Sequence, residues 1–256
     1  MLITIVGRQS GVTTATWAFG LSWPGAVLAV DADPAGGEMA AGLLLGRVQI
    51  DRGLLSWSTA ARRASPVEAA SMFAGHVVGL PEAPQLWVLP GFQSAAQAAA
   101  MDVGGWDGLA RALGNANAAM GRDVVVDCGR LGDRTCWPVI RAADRVLLMS
   151  RRSGRSIHAA RNATSLLSSR MGDLRSVGLL VVNDGGPYDP RAIAEGLGVP
   201  LVGVLPADPA TAAVLVDGAA PGRGIGRSRL GKAAASLAGQ LAHGARGPAA
   251  RVGVPR

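Results

Sequence analysis

Apolar and polar positions along the chain alternate between two kinds of segment. Runs of four to eight residues dominated by Val, Ile and Leu recur at Leu2–Val6, Ala26–Asp31, Leu86–Leu89, Asp123–Asp127, Arg145–Met149, Val177–Asn183 and Leu201–Leu205. Between them lie stretches of helical length, rich in Ala, Leu and Arg, near Thr13–Ser22, Gly37–Leu45, Gln93–Leu113, Gly154–Arg170, Pro190–Leu197 and Pro209–Val216. Short strands that are apolar on both faces and separated by helices predict crossover units and a buried, mostly parallel sheet. The expected fold is therefore a three-layer, doubly wound α/β architecture with a sheet of about seven strands. A last helix near Arg227–His243 is placed to pack back on the sheet, and Gly244–Arg256 reads as a flexible basic tail. Arg47–Pro81 is less regular, either an excursion beside the active face or a surface connection. No internal repeat or linker divides the chain, so residues 1–243 are expected to form a single domain.

Composition supports a large core, because 49% of the 256 residues are apolar and only 17% are charged. That balance argues against a disordered chain. The uncharged stretches Gln9–Val30 and Ala83–Met101 are interrupted by Pro24, Pro84 and Pro90 and by polar residues, so neither reads as a membrane span. The early apolar run precedes Arg8, the reverse of a signal peptide, and a cytoplasmic location is expected. Cys128 and Cys136 have neither a CxxC pattern nor clustered histidines, which predicts small core residues, not a metal site or a disulfide. The net charge of +7 is almost all arginine, with Lys232 the single lysine. This imbalance suggests the codon bias of a high-GC, bacterial genome. It leaves nonspecific contact with DNA through the arginines as an open reading.

The candidate chemistry starts where the first strand runs into Gly7-Arg8-Gln9-Ser10-Gly11-Val12-Thr13-Thr14 and then into a helix. In such a turn backbone N–H groups point inward and the helix N-terminus adds partial positive charge, which suits phosphate. The Thr13 hydroxyl sits where P-loop proteins place a magnesium ligand. The loop departs from the G-x-x-x-x-G-K-[ST] pattern in two ways. Its glycines are one step too close, and Val12 occupies the lysine position. Arg8 is the one cation in the loop. Loss of the lysine weakens stabilisation of a phosphoryl-transfer transition state. A dinucleotide-binding reading is disfavoured because no G-x-G-x-x-G follows the first strand, although Asp31 ends the second.

Four further segments follow in order. Val27 to Pro34 contains Asp31-Ala32-Asp33-Pro34, Val124 to Gly129 is an apolar strand ending in Asp127, Leu179 to Asn183 is another ending in Asn183, and Pro200 to Asp208 closes on Pro206-Ala207-Asp208. Together with the loop they resemble the ParA/MinD-like (SIMIBI-class) P-loop ATPases, with a degenerate Walker A loop. The resemblance implies binding of ATP and Mg²⁺, with Thr13 and Asp127 as metal ligands, the latter through water. It implies catalytic roles for Asp33, which positions the attacking water, and for Asp31, which supports it. Nucleotide contacts are implied for Gly7, Arg8, Ser10, Gly11, Val12, Thr13 and Thr14. Asn183 is implied at the adenine edge, with Pro206 and Asp208 closing the base pocket. Family members carry two lysines in the loop and this chain has neither. The function so implied is a positioning or partitioning factor with weak or absent hydrolysis, a protein partner or cargo complex, and a homodimer. The alternative is a pseudo-ATPase interaction scaffold, such as a TadZ/CpaE-like localisation factor of a pilus or secretion machine.

Overall fold

The computed structural model describes residues 1–8, 11–45, 47–49, 51–219 and 224–244. In chain order the elements are β1 (Leu2–Gly7), α1 (Val12–Ser22), β2 (Val27–Asp31), α2 (Leu54–Ala60), α3 (Pro66–Ser71), β3 (Val78–Leu80), β4 (Ala83–Leu89), α4 (Ala95–Ala99) and α5 (Val103–Met120). They continue with β5 (Asp123–Arg130), α6 (Trp137–Arg141), β6 (Arg145–Arg151), α7 (Gly154–Met171), β7 (Val177–Asn183), α8 (Pro190–Leu197), β8 (Leu201–Pro206), α9 (Pro209–Val216) and α10 (Arg229–Gly244).

The strands form one eight-stranded sheet in the order β3-β4-β2-β5-β1-β6-β7-β8. Every pairing is parallel except β3 with β4, so the predicted doubly wound α/β sheet gains one antiparallel edge strand. Side chains alternate across the sheet and build two cores. Leu28, Val30, Val124 and Val126 pack with α2, α3 and α5 to α8 on one face, whereas Ile3, Ile5, Val27, Ala29 and Val125 pack with α1, α9 and α10 on the other. The result is the three-layer arrangement expected from strands that are apolar on both faces.

Two expectations about helices and one about a connecting segment are corrected. Gly37–Leu45 forms successive turns, not a helix, because its backbone donors are used elsewhere. Met39 N donates to Asp31 Oδ2 (3.0 Å) and Leu43 N to the Leu215 carbonyl (3.3 Å). The single helix expected over Gln93–Leu113 is two, α4 and α5, since Asp102 caps a new start by accepting from Gly105 N at 2.7 Å. Arg47–Pro81 carries α2, α3 and β3. Trp57 and Phe73 stack in it at 4.9 Å between centroids, both buried, so the segment joins the core and is not an excursion. The tail expected at Gly244–Arg256 lies outside the described residues apart from Gly244. Among the described residues no helix is long and apolar enough to cross a membrane.

Some of the arginine excess has structural work. Arg122 lies over the Trp87 ring at 3.6 Å and donates through Nη1 to the carbonyls of Gln85 (2.7 Å) and Val27 (3.3 Å), tying β4 to β2. Charge-assisted hydrogen bonds and a cation–π contact together amount to about 2 kcal/mol. Arg122→Ala is thus expected to lower the melting temperature by about 4–8 °C, measurable by scanning calorimetry.

Candidate functional site

The site is assembled at the C-terminal ends of the central strands, where β1 hands over to α1. Gly7 ends β1, and Gly11 (φ 67°) turns the chain into the helix. Among the described residues no side chain caps α1, which leaves its first N–H groups to an anion at the positive end of the helix dipole. Gln9 and Ser10 fall outside the described residues, and with them the contact expected of Ser10. Arg8 is exposed. Thr13 is 9% and Val12 8% exposed, and both face a cavity of about 370 Å³ lined also by Gly7, Gly11, Asp33, Glu38, Gly129 and Arg130. The loop residues Gly7, Gly11, Val12 and Thr13 thus come together with Asp33.

The carboxylates meet behind this cavity because of strand register. Asp31 and Asp127 are paired neighbours on the parallel strands β2 and β5, and alternation directs both toward the α1 face. Each is 1% exposed. Asp31 accepts from Met39 N (3.0 Å) and Asp33 N (3.3 Å), and is walled in by Gly37 and Gly91, where any side chain would strike its carboxyl group. Asp127 Oδ1 accepts from Gly129 N at 2.8 Å, whereas Oδ2 is buried without a hydrogen-bond partner among the described residues. Asp33 accepts from Ala35 N at 2.8 Å and rests against the Cα of Gly129.

Burial dominates the electrostatics of this cluster. Loss of solvation pushes the Asp127 carboxyl up to about 7. The Thr13 hydroxyl and Gly129 N–H offset part of that rise, and Asp33 and Glu38 add to it. The Thr13 hydroxyl does so from beside the carboxyl, without closing a hydrogen bond of ordinary geometry. Asp31 is pushed well above the carboxylate range by burial and then by the charge of Asp127. Asp33 is raised by burial, with Ala35 N–H and the charge of Arg130 pulling against it. Such a cluster is stable in the folded chain only if it shares protons or receives a cation.

The donor set is compatible with magnesium. Among the described residues no group of three or more His, Cys, Asp or Glu side chains converges on a metal position. Magnesium uses one or two protein oxygens and completes its shell with water and phosphate oxygens. Thr13 and the unpartnered Asp127 Oδ2 are two such oxygens.

A second cavity, of about 300 Å³, shares Gly11 with the first and extends past Thr14 and Ala15 to Pro206, Ala207 and Asp208. Its walls are mostly apolar, including Met149, Val182 and Leu205. Asp208 has a structural duty too. It caps α9 through Thr211 N (3.2 Å) and accepts from Leu230 N (3.4 Å) on α10. Asn183 is not among the lining residues. It sits exposed at the end of β7, paired in register with Pro206, and its Oδ1 accepts from Arg152 Nη1 at 2.7 Å. Sequence reasoning missed Glu38 and Arg130 as lining residues; Arg130 follows a glycine at the end of the Asp127 strand, which was the available signal.

No family model matches the chain, and no curated protein matches it. The likeness is to solved structures. A ParA family ATPase from Chlorobium tepidum superposes with a TM-score of 0.71 at 19% identity, covering 93% of this chain and 98% of that one. The septum site-determining protein MinD from Pyrococcus horikoshii, complexed with Mg-ADP, gives 0.68 at 19%, covering 97% and 99%. The MinC:MinD cell division protein complex of Aquifex aeolicus gives 0.69 at 18%, covering 100% and 98%. The fold is therefore that of the ParA/MinD-like P-loop ATPases, as the ordered motifs implied.

Proposed function

We propose that this chain is a ParA/MinD-like nucleotide-binding protein that acts as a positioning or partitioning factor, binds Mg-ATP, and hydrolyses it slowly or not at all. The observation that carries the reading is the buried, unpartnered Oδ2 of Asp127 beside Thr13, at the uncapped start of α1. A carboxylate in that position is costly until a cation faces it. The Thr13 hydroxyl and, through water, Asp127 would hold Mg²⁺, which supplies charge neutralisation for phosphate oxygens when bound. Backbone N–H groups of Val12, Thr13 and Thr14 orient the phosphates, and the apolar walls around Pro206 receive the base. Asp33 is positioned to orient a water, with Asp31 fixing the Asp33 backbone through its N–H. Val12 supplies no charge to a transition state, which is why turnover is expected to be low. The same reading includes a protein partner or cargo complex, a homodimer and a cytoplasmic location. Nonspecific DNA contact would reveal itself by steep salt dependence.

Isothermal calorimetry tests it. Wild type is expected to bind ATP with micromolar affinity only when Mg²⁺ is present, and Asp127→Ala to weaken that binding by about 10–100-fold. Absence of binding at millimolar ATP would sink the reading and favour the second one, a pseudo-ATPase scaffold of the TadZ/CpaE-like kind. The placement of Val12 in the cavity wall is the feature that supports that alternative.

A further inference from the structure

We propose that Arg130 is the phosphate-contacting cation of this site, delivered by a bulge in β5 in place of a lysine from the loop. The inference rests on the phosphate-binding reading above and adds a residue that the loop motif does not contain.

The loop itself offers little positive charge. Val12 fills the lysine position, exposed Arg8 is absent from the cavity wall, and the lone lysine, Lys232, belongs to α10. The cavity meanwhile carries Asp33 and Glu38 on its wall, with Asp127 behind it. An anion entering there needs a counter-charge beyond the helix dipole, whose half-charge is shared among several N–H groups. Arg130 is the one cationic side chain lining the cavity among the described residues.

Its placement is built by the backbone. Along β1 and β5, Ile5 is opposite Asp127, yet Gly7 is opposite Arg130, so β5 contains one extra residue over that step. Gly129 occupies the irregularity with φ 60°, its N–H held by Asp127 Oδ1. A one-residue insertion reverses the side-chain alternation beyond it. Without it Arg130 would fall on the face opposite Asp127; with it, the side chain reaches the cavity beside Gly7. The Arg130 carbonyl accepts from Thr135 Oγ1 (3.3 Å), which in turn accepts from Gly132 N (2.7 Å), so the segment is fixed on both sides. The guanidinium makes no ion pair among the described residues, although its charge reaches Asp33. It is exposed and free to close on a phosphate, which its planar fork can grip with two N–H groups at once.

The test uses the full chain as wild type, Arg130→Ala and Arg130→Lys. Calorimetry with Mg²⁺ present measures binding of ATP, of inorganic tripolyphosphate and of adenosine. Arg130→Ala is expected to weaken ATP and tripolyphosphate by about tenfold or more, as loss of a charge-assisted contact does. Lysine should recover part of the loss, and the ligand-free melting temperature should stay at the wild-type value. Equal binding of ATP and tripolyphosphate by Arg130→Ala and wild type overturns the proposal while leaving the nucleotide reading intact. A comparable loss for adenosine also overturns it, because the substitution would then act on the whole groove. Wild type that binds tripolyphosphate through Arg130 but not ATP sinks the nucleotide reading and keeps this one. Wild type that binds neither sinks both.

Discussion

Replacing Gly129 with alanine is expected to lower the melting temperature by about 5–15 °C and to remove detectable Mg-ATP binding at 1 mM. Two costs combine at this position. The backbone lies at φ 60°, which a residue with a Cβ adopts at about 1–2 kcal/mol. The added methyl group would also overlap the Asp33 carboxyl group, and overpacking of that kind costs about 1–3 kcal/mol. For a chain of this length each kcal/mol moves the midpoint by about 2–4 °C. Relief is possible only by shifting Asp33 or flattening the bulge, and either move disturbs the Gly129 N–H bond to Asp127 at 2.8 Å. Gly121→Ala is the control. Gly121 has φ 64° at the end of α5 with open space around its Cα, so it carries the backbone cost without the contact. It should lose about 2–8 °C and bind Mg-ATP as wild type does. If the two variants melt alike, the contact between Gly129 and Asp33 is not what constrains the site.

The contrast shows which parts of the molecule the residues announce and which they do not. All seven strands expected from apolar runs occur, because a strand buried on both faces needs a run of Val, Ile and Leu whatever surrounds it. The edge strand Val78–Leu80 escaped, being three residues long with exposed Gly79 at its centre. The segment Gly37–Leu45 looks helical by composition. Its backbone donors are instead committed to the Asp31 side chain and to the carbonyls of Phe92 and Leu215, partners outside the segment that local periodicity cannot reveal. The acidic cluster was legible, since Asp31 and Asp127 end apolar strands and parallel register then sets them side by side. The cation that faces them was not. Arg130 reaches the cavity only because of a register shift, and a shift is a property of two strands together. Asn183 shows the converse: its position at a strand end is as expected, but Arg152, from the turn after β6, holds its side chain.

Asp127→Asn is expected to raise the melting temperature of the ligand-free protein by about 5 °C or more at pH 8 while sharply reducing its response to Mg²⁺ and ATP. Asp127 is 1% exposed, adjoins Asp31 and leaves Oδ2 without a donor, so the ionised form is unfavourable in the fold. Burial raises its folded-state pKa from 3.8 to about 7, which means that the folded chain holds a proton the unfolded chain releases. Stability from this group is thus fully present below about pH 4, falls as pH rises toward 7, and levels off at its lowest above that. Asparagine does not titrate and keeps an oxygen for Gly129 N–H. Its advantage should accordingly be small at pH 4, grow across the interval to pH 7, and remain constant beyond it. Magnesium reverses the ranking. If wild type holds Mg²⁺ as proposed, the cation would supply the charge that the cluster lacks, so Mg-ATP should raise the midpoint at pH 8. The asparagine variant has no carboxylate to offer, and Mg-ATP should raise its midpoint by clearly less than it raises that of wild type. A variant that is no more stable than wild type at pH 8, or that responds to Mg-ATP as strongly as wild type does, would show that Asp127 is not held in reserve for a cation.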